Sequence, residues 1–335
     1  MVRTGASAYV NYGYESTFGT ASNDITKSFG LKTAITSLTL GTNRQQLYRL
    51  GQVEPHKYAY GTQSGALSLD FVLGDTTSGD VFRAIYGAPT GTGTGASNNV
   101  YGDDTGSGSS TSFANQTFTT ELGFQGETDV QVRQFKGCIL NTLGITASIG
   151  DVIKCTGDVV FGKEGASTTS FSDDSTENSA PFTFAHGVFT LDGGVQGQIQ
   201  EVDLNFAQNG ELLYELGSNQ SVAGIKKTLD ITGRFKVAWA SKIAHETIIA
   251  QLAAGSPDST TYKETWADQN GANTPEIELH FSNGVVGDGE RKITITGKGL
   301  GLTDQSISGL EPIEAVFEEL NFQIKSAKIT VVNSE

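Results

Sequence analysis

The sequence predicts a mainly β chain of the α+β class, with one module written twice. Three observations carry that expectation. The 335 residues include 42 Gly but one Met and two Trp, a profile that suits short strands and turns better than long helices. Apolar and polar residues alternate in many short runs, as in half-buried strands. A phrase also repeats: "NRQQLYRLGQVEP" from Asn43 and "NGELLYELGSNQS" from Asn209 share Asn, Leu-Tyr, a charged residue and Leu-Gly, 166 positions apart.

Taken in order, residues 1–30 read as an N-terminal arm and 31–165 as the first module. Residues 166–180 read as a polar, acidic linker and 181–335 as the second module. Ile35–Leu40 matches Glu201–Phe206, each an alternating strand. Long loops follow at 41–66 and 207–228. Leu67, Leu69, Phe71 and Leu73 then share a strand face, with Leu229, Ile231 and Phe235 as the counterpart. Ser78 is placed to cap a short helix carrying Val81, Phe82 and Ile85 and closed by Gly87. Ser241 is placed to cap a longer one carrying Ala244, Ile248 and Leu252 and closed by Gly255. "FTTELGFQG" and "PEIELHFSNG" come next, and alternating strands end the modules at Gly137–Phe161 and Ile313–Val332. The Gly, Thr and Ser stretch at 91–112 reads as a loop with no place in a core.

The two cysteines fall in one expected hairpin. A turn at Ser148-Ile149-Gly150 pairs Ile145 with Ile153 and Leu143 with Cys155, and puts Cys138 on the opposite parity. That register excludes a disulfide and leaves two ordinary buried thiols. The start has no apolar core segment of the signal-peptide kind and no run approaches a membrane span, so the expectation is a soluble protein kept in the cytoplasm.

The net charge of −15 argues against a protein that grips nucleic acid. Residues 181–335 carry most of the excess, which either solubility or repulsion of a polyanion explains. His56, His186, His245 and His280 are scattered without ligand spacing, and "TGTGTGAS" lacks both the GxGxxG spacing and the lysine of a phosphate loop. Asp103-Asp104 and Asp173-Asp174 fit solvated loops better than calcium sites. Glu276 and Glu278 share a strand face as glycosidase carboxylates do, but outward charges on an alternating strand explain them equally. The reading is therefore not an enzyme, with no catalytic, cofactor or metal site assigned.

Several stretches together resemble the major tail tube proteins of tailed bacterial and archaeal viruses: "YESTFGT" from Tyr14, "RLGQVEPHKYAYGTQSGALSLDF" from Arg49, "FTTELGF" from Phe118, "GCILNTLGITASIGDVIKCTGDVVFGK" from Gly137, "APFTFAHGVFTLDG" from Ala180 and "LLYELGSN" from Leu212. The resemblance implies two tandem β-sandwich or barrel modules, each with one flanking helix, in a structural virion protein of the tail, assembled in the host cytoplasm. It further implies stacked rings whose hollow channel conducts viral DNA without binding it specifically. With two modules per chain, the expected ring is a homotrimer of pseudo-sixfold symmetry. Tape measure, tail terminator and baseplate proteins are the implied partners, with no membrane insertion. An acidic channel wall and a loop at 91–112 lying outside the tube are further expectations.

The repeated phrase supplies the candidate contact residues, Leu47, Tyr48 and Leu50 with Leu213, Tyr214 and Leu216. They either anchor the long loops at ring contacts or end a strand in each module's own core. Rival readings are a tube protein of a contractile injection device and a carbohydrate- or receptor-binding β-sandwich pair. The second rival would need exposed aromatics, for which Tyr58 and Tyr60 are candidates. A surface-lattice protein and an enzyme stand behind these.

Overall fold

The structure is a computed structural model that describes residues 8–22, 24–51, 53–59, 61–76, 78–89, 91–92, 97–102, 116–124, 132–167, 179–191, 194–195, 199–238, 276–285, 289–309 and 316–333. The first half runs β1 (Ala8–Tyr14), β2 (Leu31–Gly41), β3 (Gln45–Leu47), β4 (Lys57–Ala59), β5 (Ser64–Val72), α1 (Val81–Tyr86), β6 (Gly91–Thr92), β7 (Ser97–Gly102), β8 (Phe118–Phe124), β9 (Val132–Ser148), β10 (Lys154–Phe161) and β11 (Lys163–Ser167). The second half follows with β12 (Gly187–Leu191), β13 (Gly194–Val195), β14 (Ile199–Ala207), β15 (Glu211–Tyr214), β16 (Ser221–Ile225), β17 (Asp230–Ala238), β18 (Glu276–Ser282), β19 (Lys292–Ser308) and β20 (Phe317–Asn333).

Alternation decides which face of each strand is buried. In β5, Leu67, Leu69 and Phe71 point inward while Ser68 and Asp70 point out; Cys155, Gly157 and Val159 do the same in β10. The antiparallel strands line up as β2-β5-β10-β9 and then β14-β17-β20-β19, so the second quartet repeats the order of the first. β9 pairs with β14 and joins the quartets into one eight-strand run. β9 and β19 are each 17 residues long. Their C-terminal parts lie in the run, while their N-terminal parts pair with β8 and β18, which β1 and β12 flank in turn.

The core lies between the run and these flanking strands. Phe29 stacks on Tyr12 at 4.3 Å and reaches Phe71 at 6.2 Å, and Phe189 meets Phe235 at 5.5 Å in the second half. Each fully buried Leu or Phe of this layer contributes about 1.5–3 kcal/mol. Glu15, in the sequence YESTFGT, is buried. Its carboxylate accepts from Gly19 N (2.9 Å), Thr117 Oγ1 (2.8 Å), Thr119 Oγ1 (2.8 Å) and Gly137 N (2.9 Å), tying the end of β1 to β8 and β9.

Several expectations change. Cys155 pairs with Ile145 and Gly157 with Leu143, two residues off the expected register. Ile153 cannot join β10, because its N–H and C=O are taken by Phe182 O and Leu73 N at 2.9 Å each. Gly150 does take the left-handed turn, at φ 76°. Both cysteines are free and buried; a bulge at Asn141, skipped in the pairing of β9 with β10, resets the parity of Cys138.

The stretch at 91–112 is not all surface loop. β7 pairs with β20, and Tyr101 is buried. The last hairpin begins at Lys292 rather than Ile313, since β19 precedes β20. The segment opening at Ser78 is a 3-10 turn, with α1 beginning after Asp80 and ending at Gly87 as expected. The helix read over 241–255 lies outside the described residues, and α1 is the α-helix among those described. Among the described residues no strand path closes into a barrel; the path runs open from β13 to β2.

Candidate functional site: a polar sheet face and two arms

One face of the eight-strand run packs on the core and the other is polar. Carboxylates predominate on the polar face, with Asp70, Asp158, Glu201, Asp203, Asp230 and Glu319 against Lys154, Arg234, Lys236 and Lys325. Side chains bridge across strands: Ser37 Oγ donates to Ser68 Oγ (3.0 Å), Ser68 Oγ to Asp158 (2.8 Å), and Thr142 Oγ1 to Asp158 (2.8 Å). Arg234 on β17 stands between Asp203 and Glu201 of β14 and Glu319 of β20. Its Nε lies 2.9 Å from Asp203 Oδ2, its Nη2 2.8 Å from Glu201 Oε1 and its Nη1 3.3 Å from Glu319 Oε1. Hydrogen bonding to Asp203 holds the guanidinium even more firmly protonated than usual. Three carboxylates around one cation leave a local negative excess.

Two arms rise between β2 and β5 and between β14 and β17. In the first, Gln45 pairs with Ala59, Gln46 with Tyr58 and Leu47 with Lys57. In the second, Glu211 pairs with Ile225, Leu212 with Gly224 and Leu213 with Ala223. Adding 166 to each first-arm number gives the second-arm partner. The backbone follows suit: Asn43 and Asn209 have φ of 35° and 50°, and Gly51 and Gly217 have φ of 86° and 94°. Asn tolerates the left-handed region by bonding locally and Gly by lacking Cβ, so both residue types recur where the chain must turn.

The arms differ in what they touch. The second lies on the first half of the chain. Tyr214 Oη donates to Gln63 O at 2.8 Å and Gln63 N to Asn219 O at 2.7 Å. Gly210 and Gly224 face Ile139, where a Cβ on Gly224 would overlap the Ile139 side chain. Lys226, just past β16, donates its ammonium to Ala84 O and Ile85 O at the end of α1, and burial pulls its pKa down to about 8. The described residues of the first arm are more exposed. Tyr48 is 61 % exposed, Leu47 and Tyr58 are exposed, and Arg44 stacks over Tyr58 at 3.7 Å.

The six candidate contact residues thus occupy matched positions. Leu50 and Leu216 are fully exposed at the arm tips, and Leu47 and Leu213 are exposed on the hairpins. Tyr48 and Tyr214 part ways, one exposed with its hydroxyl donating to Gln46 of its own arm and the other seated on Gln63, and Tyr48 is not a core residue. Sequence reading missed the Arg234 cluster, which spans three strands, although the charges at Glu201, Asp203 and Arg234 already stood on alternating outward positions. Among the described residues no group of three His, Cys, Asp or Glu side chains is arranged to hold a metal, and no helix is long and apolar enough to cross a membrane. A family profile described as phage tail tube protein matches residues 5–323, nearly the whole chain. No curated protein matches it.

Proposed function

The chain belongs to the phage tail tube protein family, and on that premise we propose that it is the repeating structural subunit of a tail tube, a duplicated module of which three copies close one ring. The carrying observation is the repeated quartet, β2-β5-β10-β9 then β14-β17-β20-β19, together with two arms in identical register 166 residues apart. Three chains then supply six quartets. Twenty-four strands at about 4.8 Å spacing close a cylinder about 37 Å across at the backbone, before strand tilt widens it. That bore accommodates a DNA duplex once inward side chains are allowed for.

In this reading the polar face lines the channel. Its predominance of carboxylates, with Arg234 already engaged by three of them, supports passage of DNA without retention, because phosphate affinity requires available cations. Stacked rings meet through the arm tips at Leu50 and Leu216, and tape measure, terminator and baseplate proteins bound the tube. The test is gold-labelled antibody against the chain on purified virus particles. Label along the tail shaft supports the proposal. Label confined to fibres or the tail tip would overturn it in favour of a receptor- or carbohydrate-binding protein.

A further inference from the structure

The contact between the two halves of one chain also describes a contact between chains. β14 and its arm are seated on β9, whereas β2, the matched strand of the first half, pairs with β5 on one side and has no described strand paired on the other, and Leu47, Tyr48 and Tyr58 of its arm are exposed. At the other end of the run, β18 leaves β19 at Lys298, and no described strand lies on that side of Leu300–Ser308. Resting on the ring proposed above, we infer that β2 and the first arm of one copy dock on β19 of a second copy, in the register that β14 and β9 use internally.

Following the ladders across the run fixes that register. Leu204 pairs with Ile145, Ile145 with Cys155 and Cys155 with Phe71; in the second half Ile307 pairs with Glu318 and Glu318 with Val237. Val237 stands 166 after Phe71 as Leu204 stands 166 after Leu38, so Leu38 of one copy meets Ile307 of the next. Leu204 and Ile145 are buried inside the chain, while Ile307 is 41 % exposed and Leu40, the match of buried Phe206, is 48 % exposed. By the same equivalence Tyr48, the match of Tyr214, reaches the Leu229 carbonyl of the second copy, the match of Gln63.

A swap of sizes supports the seat independently. Internally two glycines, Gly210 and Gly224, face the large side chain of Ile139. Their matches on the first arm are Arg44 and Tyr58, stacked on one another, and the match of Ile139 is Gly301. Bulk has moved from seat to arm, so the filled volume is conserved at both contacts.

The test places cysteines at Leu38→Cys and Ile307→Cys in one chain. These positions are seven strand spacings apart within a chain, about 34 Å along the run, so a disulfide between them joins two copies. Opposed antiparallel residues lie within disulfide reach. Leu38→Cys with Thr303→Cys, displaced by about 13 Å along the strand, is the control. Oxidation of assembled tubes should give covalent oligomers for the first pair and not the second, and Gly301→Ile should raise the concentration needed for association about tenfold or more. Tubes in which the first pair stays reduced, or both pairs cross-link alike, would overturn the register but leave the tube. A wild-type chain that never associates, in particles or alone, would remove the conduit reading as well.

Discussion

Lys226 gives the sharpest quantitative handle on how the two halves are clamped. Its ammonium is buried against the last carbonyls of α1, and burial lowers its pKa from 10.5 to about 8. Between those values the unfolded chain binds more protons than the folded one, so stability rises with pH across that window. Below pH 8 the full cost of the buried charge is present; above 10.5 it is gone. For these two pKa values the gain between pH 7 and pH 9 is about 1.3 kcal/mol. Burial raises the thiol pKa of Cys138 and Cys155 and the phenol pKa of Tyr86, and these oppose the gain above about pH 9. The assay is therefore a difference: urea unfolding of wild type and Lys226→Met at pH 7, 8 and 9. The wild type should gain about 1.3 kcal/mol on the variant from pH 7 to 9. A difference that stays constant, or that moves the other way, would refute a buried lysine at this contact.

Other outcomes follow from the same geometry. Arg234→Met should destabilise the chain by about 1–2 kcal/mol in chemical denaturation, with part of the loss recovered when Asp203→Asn is added. The arginine side chain is 34 % exposed, so the larger loss of a fully buried pair is not expected, and no loss at all would mean the cluster contributes nothing. Gly224→Val should cost about 1–3 kcal/mol by overpacking against Ile139, while Gly301→Ile, on the bare edge, should leave monomer unfolding nearly unchanged. Neither native thiol should react with a disulfide reagent at pH 8 before unfolding, because both are buried and their thiolates are disfavoured; rapid labelling of folded protein would contradict their placement.

Much of this architecture was legible in residue order. Alternation located β2, β5, β10 and β14, and the Leu-Tyr phrase marked equivalent arms at the right offset. The arms themselves read as loops because short exposed hairpins bury neither face and leave no apolar period. The strand equivalent to β5 was identified through Leu229, Ile231 and Phe235, and the ladders set Leu67 and Leu69 against Gly233 and Phe235, a glycine replacing a leucine beneath Phe322. The register of β9 with β10 failed for a non-local reason, the capture of Ile153 by Leu73 and Phe182. β7 went unseen because its stability comes from pairing with β20, more than 200 residues away in sequence, and because it sits inside a Gly- and Ser-rich stretch.

A helical reconstruction of the assembled tube by cryo-electron microscopy tests the central claim most directly. Three chains per ring should appear, with the strands of neighbouring copies continuous from β19 into β2 and Leu38 beside Ile307. Six chains per ring, or rings in which the edges of β2 and β19 face solvent, would contradict it.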